Sequence, residues 1–454
     1  MASSQAYVRR FGDTPIDRLQ PAKHEEALKW LSRDLDDAIV RFISSCACGD
    51  QLLACFYEFR YQPVAAELKG AIDRGVDVRI IIDAKVNGRT DGQGVVHESF
   101  PREENLALLA GSGIPDAQVI RRQARKSDIQ HNKFMVRIAG GTQPVEVWTG
   151  STNLSTGGIH GQTNVGHWVR DTAVADQFAR YWQLLAGDPG GAVGDTRGQT
   201  ISKNKVFKAA VRELSPAPLD LTEIPHGVTA VFSPRPDTSL LDSYAELLDS
   251  AGRQACITLA FGIASTFKEV LKDNTSASHL VFMLLEKRDR PSGNNPAEYV
   301  RINASNNVYQ AWGSFLRDPV YQWVAETSAL QLGLNRHVSF IHSKFMLIDP
   351  LSADPIIVTG SANFSADSTK ENDENMLLIR GDRRAADIYL TEFNRLFNHY
   401  YFRSVTEALQ HRPQPGQESL FLAENADWQA KYEPGKLRAK RLQLFLDLAA
   451  SRII

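Results

Sequence analysis

His131-Asn132-Lys133-Phe134-Met135, followed by Trp148-Thr149-Gly150-Ser151-Thr152-Asn153, returns further along as His342-Ser343-Lys344-Phe345-Met346 and Val358-Thr359-Gly360-Ser361-Ala362-Asn363. The histidines are 211 positions apart and the glycines 210, so each copy spans about half of the 454 residues. A repeat of that length is a duplicated domain, not a solenoid. The same offset carries Arg170 onto Arg380, and both copies then enter an amphipathic stretch, 174–185 and 385–397, with apolar residues at helical spacing. Upstream, short apolar runs at 52–56 and 255–259 are each followed by a helix-like segment and a buried-strand candidate, 76–82 and 280–285. Alternating helices and apolar strands predict an α/β fold of two pseudo-symmetric lobes, each a mixed sheet flanked by helices. The lobes should face each other with the site between them.

The chemistry follows from the repeated residues. His and Lys two apart on a strand share a face, and two cations on a buried face need an anion to answer them. A phosphate meets that need. Gly150 and Gly360 let the backbone bend closely, while Ser151, Asn153, Ser361 and Asn363 offer donors for phosphoryl oxygens. Doubling the block sets two His, two Lys, two Ser and two Asn around one phosphodiester. Lys133 and Lys344 then supply the charge neutralisation that a metal supplies elsewhere, so neither metal nor cofactor is expected. One imidazole attacks phosphorus and the other protonates the leaving oxygen.

These residues resemble the phospholipase D superfamily, whose pattern is His-x-Lys-x4-Asp followed by Gly-Ser-x-Asn. The resemblance runs from about residue 28 to 403 and implies two phospholipase D-like lobes and a metal-independent, two-step phosphodiesterase reaction through a phosphohistidine. The second copy is complete, with His342, Lys344, Asp349, Gly360, Ser361, Asn363 and then Glu374, where the family often places an acid that orients its histidine. The first copy has Ile138 in place of the Asp, and Asn164 at the position of the acid. If Glu374 sits beside His342, it favours the charged ring and suits a general acid; Asn164 beside His131 leaves a neutral ring suited to attack. His131 is the expected nucleophile.

The expected division is an N-terminal lobe at 1–190, a linker region rich in Gly, Pro and Thr at 191–230, a C-terminal lobe at 231–403 and a helical extension at 404–454. The substrate is a phosphodiester. A phospholipid headgroup ester, hydrolysed or exchanged with an alcohol, is favoured by the single duplicated chain, the near-neutral charge (51 Lys and Arg against 53 Asp and Glu) and an aromatic insertion at 287–327. Nucleic acid is the alternative, through the basic run Arg121, Arg122, Arg125 and Lys126, whose default reading is a solvated loop. A non-catalytic phosphate-binding subunit is the third reading. Cardiolipin-synthase-like transfer ranks behind hydrolysis because no run is apolar and long enough to span a membrane.

The insertion carries Tyr309, Trp312, Phe315, Tyr321 and Trp323, which either pack onto their own lobe or wall the substrate. The C-terminal stretch at 436–454 alternates basic and apolar residues, predicting a helix that closes the core, with peripheral membrane contact as the alternative. His160, His167, His337 and His399 lack the support of the repeat and are expected to be surface or packing residues. Four cysteines and residues 1–20 without a signal-like apolar core point to a reducing, cytoplasmic setting. With both motifs in one chain, no oligomer is needed to complete the site.

Overall fold

The structure is a computed structural model and describes residues 5–12, 14–124, 128–215, 223–271, 279–289, 307–313, 338, 340–411 and 425–451. The first copy forms β1 (Gln51–Phe56), β2 (Asp77–Asp83), the small hairpin β3 (Arg89–Thr90) and β4 (Val96–His97), β5 (Val119–Arg122), β6 (Lys133–Ala139), β7 (Gln143–Gly150) and β8 (Gly166–Val169). The second forms β9 (Gly227–Ser233), β10 (Gln254–Leu259), β11 (Leu280–Leu285), β12 (Val308–Trp312), β13 (Phe345–Ile348), β14 (Ile356–Gly360) and β15 (Glu374–Arg380). One six-stranded sheet has the order β5-β2-β1-β6-β7-β8, and a seven-stranded sheet the order β12-β11-β10-β13-β14-β15-β9. The shared core is the same in both: a parallel pair, β1 with β2 or β10 with β11, next to an antiparallel meander. Both are mixed sheets in two lobes, matching the repeat.

Helices α1 (Gln5–Phe11), α2 (Pro21–Ser32), α3 (Leu35–Ser44), α4 (Gln62–Asp73), α5 (Arg102–Ser112), α6 (Thr172–Ala186) and α7 (Arg197–Leu214) accompany the first sheet. Helices α8 (Ser239–Asp249), α9 (Ser265–Leu271), α10 (Ala366–Lys370), α11 (Arg383–His411) and α12 (Leu437–Ser451) follow with the second. Strands β10 and β11 are buried at every position, so they read as unbroken apolar runs. Helix α6 buries Val174, Phe178, Tyr181, Trp182 and Leu185, one face of a 3.6-residue period, each contributing about 1.5–3 kcal/mol of apolar burial. Asp171 starts α6 by accepting from the amides of Ala173 and Val174, and Asp382, 211 residues on, accepts from Ala385 at the start of α11. The duplication therefore preserves a helix cap as well as the motifs.

Three expectations change. Residues 197–214, where composition predicts a surface connection, form α7, which buries Phe207 and Val211 and begins with a capping box between Thr196 and Gln199. Strand β9 straddles the expected boundary at 230, because its full length pairs with β15. Of the basic run, Arg122 is fully buried rather than solvated and grips Asp373 of the other lobe at 2.5 Å, while Arg121 pairs with Asp116. Neither guanidinium is free to track a backbone; Arg125 and Lys126 lie outside the described residues.

The described part of the insertion packs on its own lobe. Tyr309 in β12 stacks on Phe282 at 5.1 Å, and Arg288 lies over Trp312. Phe315, Tyr321 and Trp323 lie outside the described residues. Helix α12 buries Leu444 and lays Arg441 over the rings of Phe282, Tyr309 and Phe397, while Leu442, Phe445 and Leu446 stay exposed. No helix among the described residues is long and apolar enough to cross a membrane.

Candidate active site

The two His-x-Lys segments meet where the lobes face each other. Each histidine lies just ahead of its strand, β6 or β13, in backbone that pairs with the opposite lobe instead of its own sheet. Gln130 bridges Asp373, and Ile341 bridges Thr163, both in parallel sense. His131 N donates to Asp373 O at 2.9 Å, and His342 N to Thr163 O at 3.2 Å. Two buried carboxylates hold these segments from behind: Asp83 accepts from the Gln130 amide at 2.9 Å, and Glu286 from the Ile341 amide at 2.7 Å. Asp83 and Glu286 end equivalent strands, so a positioning device is duplicated that the motif alone does not announce. Burial pushes the Asp83 carboxyl up to about 6.

The histidine partners are crossed between the lobes. His131 Nδ1 bonds Glu374 Oε2 at 2.9 Å, and His342 Nδ1 bonds Asn164 Oδ1 at 3.0 Å. This corrects the expected pairing of Glu374 with His342 and Asn164 with His131. The cause is the interlobe pairing: residues that follow a Gly-Ser-x-Asn turn in one copy run beside the histidine of the other. In both rings the acceptor at Nδ1 leaves Nε2 with its lone pair.

The glycines are explained by the neighbouring strand. A Cβ on Gly150 would stand 2.2 Å from Val165 O, and on Gly360 2.2 Å from Asn375 O. That contact brings Asn164 and Glu374, one residue earlier, into reach. The serine hydroxyls serve the same join. Ser151 Oγ donates to Asn164 Oδ1 at 2.8 Å and accepts from Val165 N, while Ser361 Oγ accepts from Asn375 N at 3.0 Å and donates to Asn375 O. Both hydroxyls thus brace the segments that carry the histidine partners.

Lys133 and Lys344 each reach back to the carbonyl of their own histidine, Lys344 at 2.6 Å. Burial lowers Lys133 to about 8, against the pull of Glu374 and Glu58. Lys344 is held well below its usual value by burial and by Lys133. Burial brings His131 down to about 4 although Glu374 opposes the shift, and His342 falls well below its ordinary value through burial, Lys344, Lys133 and His131. Burial depresses all four groups, and the lysines add to the lowering of both histidines, so the two distant segments share one electrostatic environment.

Asn153 gives an N–H to Glu58 at 2.7 Å, and its Oδ1, like that of Asn363, is buried without a partner. Orphaned amide atoms at equivalent places in both copies mark a pocket shaped for a polar occupant. Tyr57 meets the His131 ring edge-on at 4.9 Å and lies under the Lys133 ammonium. Glu58 and Tyr57 follow β1 and were invisible to the repeat, since their place in the second copy holds Phe261 and Ala260. Asp349 stays outside the pocket: its carboxylate accepts from the amides of Gly252, Arg253 and Gln254. In the first copy, where Ile138 replaces it, Asp50 on the adjoining chain does the reverse and accepts from Gly140 N and Arg137.

Of the histidines outside the repeat, His160 is buried between Tyr61 and the Leu28 carbonyl, His167 bonds Tyr389 and His399 packs on Tyr400. His337 lies outside the described residues. Among the described residues no three His, Cys, Asp or Glu side chains gather as a metal ion would need.

The family described as "Cardiolipin synthase, PLD-like domain" matches residues 39–185 and 284–397, a segment in each lobe and more than half of the chain. The chain belongs to the phospholipase D-like family. Members of this superfamily act on phosphodiesters. No curated protein matches the chain. Among solved structures, the phosphatidylserine synthase of Haemophilus influenzae Rd KW20 is similar over 90% of this chain and 92% of its own, with 13% identity and a TM-score of 0.53. The phospholipase D family member Nuc of Salmonella typhimurium matches 38% of this chain and 93% of its own, at 18% identity and a TM-score of 0.26. The first of these shares the two-lobed fold.

Proposed function

We propose that the protein cleaves a phospholipid headgroup ester through a covalent phosphohistidine on His131. The observation that carries this reading is the crossed pairing of His131 with Glu374. The Nε2 lone pair of neutral His131 attacks phosphorus, the bond from phosphorus to the leaving oxygen breaks, and protonated His342 gives that oxygen its proton from Nε2. A ring bonded to phosphorus through Nε2 and still protonated at Nδ1 is cationic, and the Glu374 carboxylate stabilises it. In the second half His342 takes a proton from water or an alcohol, whose oxygen attacks phosphorus and breaks the P–N bond. Lys133 and Lys344 neutralise the non-bridging oxygens throughout.

His131 thus keeps the nucleophile's role for a different reason from the one the sequence suggests. The empty pocket holds both rings neutral at pH 7, and an entering phosphodiester anion raises the His342 pKa so that binding takes up a proton. The lipid assignment is supported by the family description, which names a cardiolipin synthase, and by the burial of Arg122 against Asp373, which withdraws one cation of the basic run from any polyanion.

The test is a metal-free assay in parallel on phosphatidylcholine and phosphatidylglycerol vesicles, single- and double-stranded DNA, RNA and a bis-aryl phosphodiester, with and without a primary alcohol. Turnover of lipid alone supports the assignment, and the alcohol product separates transfer from hydrolysis. Cleavage of nucleic acid with lipid untouched replaces the substrate. Bis-aryl turnover quenched in alkali, where a P–N bond survives, should yield a phosphoryl adduct on His131 by mass spectrometry; an adduct on His342 reverses the roles.

A further inference from the structure

Beside Asn164 opens a second cavity, of about 650 Å³, lined by neither catalytic histidine and neither catalytic lysine. Its origin lies in a break of the pseudo-symmetry. In one half β9 covers the edge of its sheet, and its Phe232 stacks on Tyr181 of α6 at 4.4 Å and meets Phe178 edge-on at 5.0 Å. In the other half β8 is the edge strand among the described residues, and no second strand lies against it. The residue 211 positions after Phe178 is Tyr389, whose ring stacks on His167 and borders the cavity instead of a strand. Space is left where the equivalent half is filled.

The walls combine Leu35, Trp148, Trp168, Phe340, Ile388 and Tyr389, and Ile388 is 61% exposed at this border. The charges lining it are Arg33, Arg41 and Arg395 against Asp34 and Glu392. Glu392 is taken by Arg395 at 2.7 Å, and Arg33 lies close enough to Arg395 for the two cations to oppose each other. Among the described residues neither Arg33 nor Arg41 forms an ion pair, and both are exposed. The lining histidines, His160 and His167, are brought to about 4 by burial and are neutral at pH 7. An apolar chamber of this size with surplus guanidinium at its open side matches a small-molecule site.

We propose that this cavity binds a single-chain amphiphile with an anionic head, a fatty-acid-like molecule whose tail lies among the aromatic walls and whose head meets Arg33. The site is separate from the phosphodiester pocket and touches it through Asn164 and Thr163, both bonded to His342. It stands whether or not the lipid reading of the catalytic pocket does.

The test uses the full chain and a terminally brominated undecanoate, whose bromine quenches Trp148 and Trp168 on contact. Saturable quenching is expected, reduced in Trp168→Phe. The matching brominated alcohol and the Arg33→Gln variant should each bind roughly fivefold more weakly, the value of a partly exposed ion pair. Ala385→Phe, which fills the chamber, should abolish saturation with the melting temperature kept; Ala38→Leu fills it from the opposite wall should the first variant unfold. Equal affinity for acid and alcohol overturns the anionic head. Quenching undiminished by filling, or displaced by inorganic phosphate, overturns the site.

Discussion

The two copies of the motif are nearly superimposable in sequence and unequal in what surrounds them. His131 faces a carboxylate and His342 an amide, although both rings use Nδ1 for the contact and both amide nitrogens donate across the lobe interface. One bridge between the lobes is reinforced by the buried Arg122–Asp373 pair, and its counterpart has Thr163 bonded to Ser343 at 3.2 Å. One sheet edge is covered by β9, and the other borders a cavity. The lesson is that a duplicated phosphate cradle can stay symmetric while its second layer divides the labour.

The largest effect should come from removing the rings. His131→Ala and His342→Ala are each expected to lower kcat by about 10⁴-fold or more with an unchanged circular dichroism spectrum. Because the two act as a unit, the double variant should lose little more than either single one. Residual turnover within tenfold of wild type in His131→Ala would break the proposed roles.

The second layer should respond unequally. Glu374→Gln keeps the shape but removes the charge opposite the phosphorylated ring, and about 10²–10³-fold of kcat should go with it; Asn164→Ala should cost about tenfold. Equal losses would mean that the crossed acid has no special part. Glu374 also raises the pKa of both His131 and Lys133. In the free enzyme kcat/KM should fall below about 4, where His131 gains a proton, and above about 8, where Lys133 loses one. In Glu374→Gln both limbs should move to lower pH, as a pH profile with the bis-aryl substrate would reveal.

The interface asymmetry predicts a stability difference. Arg122→Ala strands a buried carboxylate and should destabilise by about 3–5 kcal/mol in urea unfolding, whereas Thr163→Val at the matching bridge should cost about 1 kcal/mol. The smallest expected contrast concerns Asp349 and Asp50. Asp349 fastens the start of β10 and Asp50 the turn after β6 through backbone amides, so Asp349→Ala and Asp50→Ala should both cost about 1–3 kcal/mol and leave KM unchanged. A catalytic defect specific to Asp349→Ala would show that the motif's acid does more than brace the strand.

Much of this was legible in the chain. A repeat with fixed spacing exposes His131, Lys133, His342 and Lys344 because chemistry that needs two copies must write both. The apolar runs 280–285 and 255–259 are strands for a local reason: buried on both faces, they carry no polar alternation. Ser151 and Ser361 were legible as residues, but not their bonds to Asn164 and Asn375, because a hydroxyl's partner is set by what packs beside it. Asp83, Glu286, Tyr57 and Glu58 escaped, since residues that follow different strands share no spacing with the motif they serve. Arg122 escaped for the same reason, its partner lying 251 positions away.

The order of residues by itself determined the duplication, the mixed α/β lobes, the paired imidazoles and the anionic nature of their target, because periodicity and local chemistry are properties of the chain read alone. Which partner answers which histidine, which cations are buried in structural pairs and which sheet edge β9 covers were decided only on folding. Those are contacts between distant segments, fixed by how two sheets pair across their interface, and no local pattern encodes them.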